Sequence, residues 1–133
     1  MSQVASISGV SGAASKTIVI IDDDEAVRDS TCVLLQSYGY PTQTFSSADV
    51  YLQETAGAAG DCLVVDVQMP GLSGVELVEA LRARAIATPV ILMTANVESL
   101  GARGQQAGAA AILRKPFAED ALIQAVTKAF ERN

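Results

Sequence analysis

"TIVIIDDDEAVRDS", residues 17–30, sets a run of β-branched aliphatics directly against four acids. Residues 17–21 are almost wholly apolar, so both faces of the segment would be buried, as in a central strand of a parallel sheet. Val27, Thr31, Leu34, Leu35 and Tyr38 then recur at helical spacing, and Gly39, Tyr40 and Pro41 end that helix. Strand, acidic turn and helix make one βα unit. Asp22, Asp23, Asp24 and Glu25 between them admit two readings. They are charge at a helix N-terminus, favoured by the macrodipole, which suits Asp24 and Glu25 in the first helical turn, or part of a site that needs concentrated negative charge, for which Asp22 and Asp23 are the candidates.

The same alternation continues along the chain. Residues 62–67 (CLVVDV) and 89–93 (PVILM) repeat the doubly buried strand pattern, and 42–45 (TQTF) and 110–113 (AAIL) are shorter candidates. Ser46 or Ser47 can cap a second helix running to about Glu54, with Ser46 and Asp49 at capping-box spacing. Val75, Leu77, Val78 and Leu81 mark a third. Residues 98–107 give a weak fourth helix, interrupted by Gly101 and Gly104. An interior glycine costs about 1 kcal/mol against alanine, so this helix is expected to be short or mobile. Leu122, Ile123, Val126 and Phe130 define the last. Five strand–helix units predict an α/β fold, a doubly wound five-stranded parallel sheet in the order 2-1-3-4-5. Residues 1–15, rich in Ser, Ala and Gly, read as a flexible tail, and 16–133 as one domain.

Composition narrows the function. The chain has 133 residues, is 50% hydrophobic and carries a net charge of −6, which suits one domain with a real core rather than a disordered segment. Nine scattered basic residues make no patch for nucleic acid, so no direct nucleic-acid binding is expected. No apolar run reaches the length of a membrane span and the N-terminus is a poor secretory signal, which predicts a cytoplasmic protein. Cys32 and Cys62 lack metal-ligand spacing and read as two buried, reduced thiols. With no histidine in the chain, histidine catalysis and His-ligated zinc are excluded.

In an open parallel sheet, ligands bind beyond the carboxyl ends of the strands. Those ends carry Asp22 and Asp23, then Asp66, Thr94 and Lys115, with Pro116 next. Three carboxylates brought together repel unless a cation joins them. A hard divalent ion such as Mg²⁺ takes one or two carboxylates and also binds phosphate oxygens. A lysine ammonium and a threonine hydroxyl complete a set suited to phosphoryl transfer, with one carboxylate as nucleophile. Asp66, central in the set, is the candidate.

"IIDDDEAVR", "LVVDVQMPGLSG", "ILMTAN" and "LRKPF", in this order and at these spacings, resemble the receiver domain of bacterial two-component response regulators, from about Thr17 to the C-terminus. The resemblance implies a CheY-like fold and a phosphorylation switch rather than an enzyme. Asp66 matches the phosphoacceptor, served by a sensor histidine kinase or a histidine phosphotransfer protein. Asp22, Asp23, Asp66 and the backbone carbonyl of Gln68 match the ligands of Mg²⁺ (or Mn²⁺). Thr94 matches the switch hydroxyl and Lys115 the phosphate-binding lysine, whose bond to proline is usually cis in the family. The partner on the output side is an unknown protein.

Two departures stand out. Where many members carry Tyr or Phe three residues before the lysine, this chain has Ile112, which cannot give an in/out aromatic readout. The stretch from Thr94 to Gly108 is also one residue shorter than in many relatives. Both changes fall on the face commonly used for output, so a different output geometry is expected. Competing functions are the receiver of a larger transcriptional regulator, an aspartate-nucleophile phosphohydrolase, a flavin-binding module and an unphosphorylated scaffold. The hydrolase would need an acid two residues after the nucleophile, where Gln68 stands. The flavin module would need a phosphate-cradling loop after the first strand, where the acids stand. The scaffold would not need all five site residues.

Overall fold

The computed structural model describes residues 16–131. The expected flexible tail, residues 1–15, lies outside them. Five strands alternate with five helices: β1 Ile18–Ile21, α1 Glu25–Ser37, β2 Thr42–Phe45, α2 Ala48–Thr55, β3 Cys62–Asp66, α3 Gly74–Ala83, β4 Val90–Thr94, α4 Val97–Ala107, β5 Ala111–Arg114 and α5 Glu119–Glu131. The sheet is parallel throughout, in the order β2-β1-β3-β4-β5. Ile18 of β1 pairs in register with Thr42 on one side and Cys62 on the other. The strand order therefore reverses at β1, and the crevice between the ends of β1 and β3 is the switch point.

The doubly apolar strands explain the layering. Ile18 and Ile20 face one core with Val64, Ile91 and Met93, closed by Leu35 of α1 and by Leu122, Val126 and Ala129 of α5. Val19 and Ile21 face the other with Leu63, Val65 and Leu92, closed by Tyr51 of α2 and Leu77, Val78 and Leu81 of α3. All residues of β1, β3 and β4 are buried. Edge strand β2 is only partly covered, which matches its polar sequence.

Several local expectations change. Helix α1 stops at Ser37; Tyr38 is its C-cap and is 54% exposed rather than part of the apolar face. The turn at Gly39, φ +90°, lets Tyr40 turn inward instead, where its ring meets Phe130 at 5.7 Å. Ser47 alone caps α2, its Oγ accepting from Val50 N at 3.1 Å, while the Asp49 carboxylate accepts from Leu72 N. The capping box belongs to α3 instead, between Ser73 and Glu76. Cys62 is buried, which pushes its thiol up to about 12. Cys32 is only half-buried, with its Sγ 2.8 Å from Thr42 Oγ1.

Helix α4 is not short. It runs unbroken for 11 residues through both glycines. Gly104 is buried, and a Cβ there would stand 2.8 Å from Cδ1 of Ile112 and 3.0 Å from Cδ1 of Leu92. The glycine allows close approach of helix to sheet over the branched Ile112. Gly104→Ala gains helix propensity but meets that contact, so a net loss of about 1 kcal/mol is expected in urea unfolding. In an Ile112→Val background, which removes the clashing methyl, the same change should turn neutral or stabilising. A loss of equal size in both backgrounds would separate the two positions. On the same face Arg114 pairs with Glu98; both are exposed, so the pair adds little to stability.

Candidate functional site

Each candidate residue is delivered by the end of a strand. Asp22 follows β1 directly and is fully buried. Its Oδ1 accepts from Asp24 N at 2.9 Å, and its backbone carbonyl accepts from the Arg28 guanidinium at 2.8 Å. Asp23 beside it is exposed. Asp24 belongs to the helix instead. As N-cap of α1 its Oδ1 accepts from Ala26 N at 2.9 Å and Val27 N at 3.2 Å. Glu25 lies in the first turn of that helix. The four acids thus divide into two pairs: Asp24 and Glu25 start the helix, and Asp22 and Asp23 lie beside Asp66.

Asp66 is the last residue of β3 and is 6% exposed. Val67 N donates to Met93 O at 2.8 Å and Gly74 N to Val67 O at 3.0 Å, which fixes the turn behind it. Gln68 contributes its N–H, donating to Asp66 Oδ1 at 3.3 Å and orienting the carboxylate. One carboxylate oxygen from each of Asp22, Asp23 and Asp66 lies within 4.8 Å of the others.

Lys115 reaches this cluster from the end of β5. Its Nζ is 3.2 Å from Asp22 Oδ2 and 3.6 Å from Asp66 Oδ2. Its backbone N donates to Thr94 O at 2.9 Å, and the Lys115–Pro116 bond is cis, as the resemblance implied. Thr94 is buried at the end of β4, one residue beyond Met93, the register partner of Asp66. Its Oγ1 accepts from Asn96 N at 3.0 Å. Ile112 lies in β5, half-buried and packed against the core under α4.

Burial holds the Asp66 carboxyl above its ordinary range. Lys115 and the Gln68 N–H pull it back down, while Asp22 and Asp23 push it further up. Burial alone would lower Lys115, but the charges of Asp66 and Asp22 outweigh it and hold the ammonium above the usual lysine value. One ammonium facing three carboxylates leaves an excess of negative charge. The cluster fits a small divalent cation with oxygen ligands.

Sequence reasoning assembled the right strand ends but passed over two residues. Thr31 reads in sequence only as part of the helical apolar pattern, yet its buried hydroxyl has no hydrogen-bond partner among the described residues. Gly74 stands directly behind Asp66, where a Cβ would come within 2.7 Å of the Asp66 carbonyl oxygen. Thr31 carried no further sequence signal and Gly74 only its place in the LVVDVQMPGLSG stretch, because the role of each depends on what the fold places opposite it.

A family model, the response regulator receiver domain, matches residues 18–127. The transcriptional regulatory protein FixJ of Bradyrhizobium diazoefficiens is 36% identical over 86% of this chain and 57% of its own length. The transcriptional regulatory protein TdiR of Thauera aromatica is 36% identical over 90% of this chain and 53% of its own. The chain thus spans about half the length of these curated relatives. The crystal structure of FixJ-N superposes with a TM-score of 0.81 at 31% identity, covering 89% of this chain and 95% of that one. The Vibrio cholerae chemotaxis protein CheY4 superposes with a TM-score of 0.78 at 26% identity, covering 86% of this chain and 98% of that one. No helix among the described residues is long and apolar enough to cross a membrane. With its sheet order, its cluster of strand-end carboxylates and these matches, the chain belongs to the response regulator receiver domain family.

Proposed function

We propose that this receiver domain is switched by phosphorylation of Asp66. The phosphoryl group comes from the phosphohistidine of a sensor histidine kinase or a histidine phosphotransfer protein. The observation that carries the reading is the single cluster formed by Asp22, Asp23, Asp66 and Lys115, with Asp66 Oδ2 3.6 Å from the ammonium. An Asp66 carboxylate oxygen is the nucleophile. Gln68 N–H holds the other oxygen at 3.3 Å and so aims the group. Lys115 meets the incoming phosphoryl oxygens as a point charge. The Thr94 hydroxyl is the hydrogen-bond donor that answers phosphorylation. Asp22, Asp23, Asp66 and the Gln68 carbonyl would hold Mg²⁺ or Mn²⁺, which supplies charge neutralisation on the transferring group. Turnover of an external substrate is not part of this proposal, because Gln68 leaves no general acid two residues beyond the nucleophile.

The test is incubation with acetyl phosphate and Mg²⁺, followed by intact-mass analysis and peptide mapping. One added phosphoryl group on Asp66, lost when a chelator is present, is expected. A wild-type protein that gains no mass would end the proposal. Cation binding has its own readout. Mg²⁺ at ten times its Kd should raise unfolding stability by about 1.4 kcal/mol. Asp23→Ala, at an exposed position, should remove most of that gain. An unchanged gain in the variant would place the cation elsewhere.

A second reading concerns the output. The similar proteins FixJ and TdiR are named as transcriptional regulatory proteins, and this chain covers only 57% and 53% of them. We propose that the phosphorylated domain controls a transcription element, through the face of α4, β5 and α5. Gel-shift assays with a full-length regulator carrying this domain, with and without the phosphoryl group, check this; equal promoter affinity in both states would count against it.

A further inference from the structure

A groove of about 600 Å³ lies between α1 and the loop joining β5 to α5. Val27, Leu34, Pro116 and Phe117 give it apolar walls, and Asp66 and Lys115 also line it, so it is continuous with the carboxylate cluster. Its size is that of a small-molecule site. Glu119 stands exposed at its margin.

Thr31 sets this groove apart from an ordinary surface dent. It lines the groove, is 2% exposed, and its Oγ1 has no hydrogen-bond partner among the described residues. Four other helical hydroxyls among the described residues bond to the preceding turn. Ser30 donates to Val27 O, Ser37 to Leu34 O, Thr55 to Tyr51 O and Thr127 to Ile123 O. Thr31 does not, although the same option is open to any helical threonine. A buried hydroxyl without a partner calls for a specific explanation. Here it stands in the wall of a groove that Lys115 also lines.

We infer that the groove takes the acyl group of a small acyl phosphate, and so selects phosphoryl donors with acyl chains longer than acetyl. This rests on Asp66 being the phosphoacceptor. The donor's phosphoryl end meets Lys115, its chain lies on Val27, Leu34 and Phe117, and its carboxyl oxygen accepts from Thr31. In the transfer, an Asp66 carboxylate oxygen bonds to phosphorus and the bond from phosphorus to the acyl oxygen breaks. The electron pair leaves with the acyl carboxylate, which keeps the Thr31 hydrogen bond, and no proton moves.

Acetyl phosphate and butyryl phosphate distinguish the outcomes, because their leaving carboxylates are nearly equal in basicity and differ by two CH₂ groups. With Mg²⁺ present, butyryl phosphate should label Asp66 about tenfold faster at subsaturating concentration. Thr31→Val, which keeps the side-chain shape, should slow labelling by both donors about fivefold. Butylphosphonate, which cannot transfer its phosphorus, should shift the amide NMR signals of Val27, Thr31 and Leu34, and methylphosphonate should not. Equal labelling rates from the two donors would overturn the inference and leave the groove to a protein partner, with Asp66 still the phosphoacceptor. Labelling by neither donor would overturn both.

Discussion

Asp66→Asn is expected to abolish phosphoryl incorporation completely, with no mass gain under conditions that label the wild-type protein to completion. The amide keeps the size of the side chain and can keep the Gln68 N–H contact seen at 3.3 Å, but it has no anionic oxygen to attack phosphorus. The same variant should be more stable than the wild type in metal-free buffer at neutral pH. Burial and the neighbouring Asp22 and Asp23 hold the Asp66 carboxyl above its ordinary range. The folded state therefore binds this proton more tightly than the unfolded state. Stability from this group is fully present below the ordinary carboxylate pKa of about 4 and is lost as pH rises through the raised value. At neutral pH the ionised group weighs against the fold, and the amide removes that charge. A gain on the order of 1 kcal/mol is expected, the scale of a like-charge contact in a partly screened site. The gain should vanish as pH falls below the carboxylate range. Residual labelling of the variant would move the acceptor to another residue, and a metal-free variant less stable than the wild type would contradict the charge excess.

Gly74→Ala is expected to damage both the fold and the site. Gly74 opens α3 and packs against the end of β3. A Cβ there would lie 2.7 Å from the Asp66 carbonyl oxygen, 3.0 Å from Val67 Cα and 3.1 Å from Leu92 Cδ2. Two of those atoms are backbone at the end of a central strand, so they cannot yield as a side-chain tip can. The turn must move instead, and it is held by Gly74 N donating to Val67 O and Val67 N to Met93 O. Overpacking of this kind costs about 2–3 kcal/mol, or a fall in Tm of about 10 °C for a domain of this size. Asp66 sits on the displaced segment, so labelling should slow as well. Thermal unfolding checks the first effect and the mass assay the second. A Tm within a degree or two of the wild type would show slack between β3 and α3. Gly104 differs in what surrounds it. There the nearest atoms are the flexible ends of Ile112 and Leu92, so the penalty is smaller and can be relieved by one neighbouring substitution.

The strands were legible because burial on both faces leaves a mark in sequence. Residues 17–21, 62–67 and 89–93 are apolar almost without interruption, and the structure places Val19 and Ile21 in one core and Ile18 and Ile20 in the other. Helix ends were less legible where capping competes with other partners. Asp49 has the spacing to join a capping box from Ser46, but it is drawn to Leu72 N in the loop between β3 and α3. Helix α4 misled for a related reason. Gly104 reads as a weakness in a helix considered alone, and becomes a requirement once β5 brings Ile112 beneath it.

The sequence by itself determined the parallel α/β architecture, the order of the sheet and the identity of the strand-end side chains. Those follow from periodicity, from the usual strand order of a five-unit doubly wound sheet and from the rule that ligands meet such sheets at their carboxyl edges. Only the tertiary structure decided how the side chains share the crevice. It buried Asp22 and left Asp23 exposed, and set Lys115 between Asp22 and Asp66. It also left the Thr31 hydroxyl without a partner among the described residues, in the neighbouring groove. The reason is physical. Burial, charge balance and hydrogen-bond satisfaction depend on which residues distant in sequence arrive at the same place, and periodicity along one segment carries no record of that.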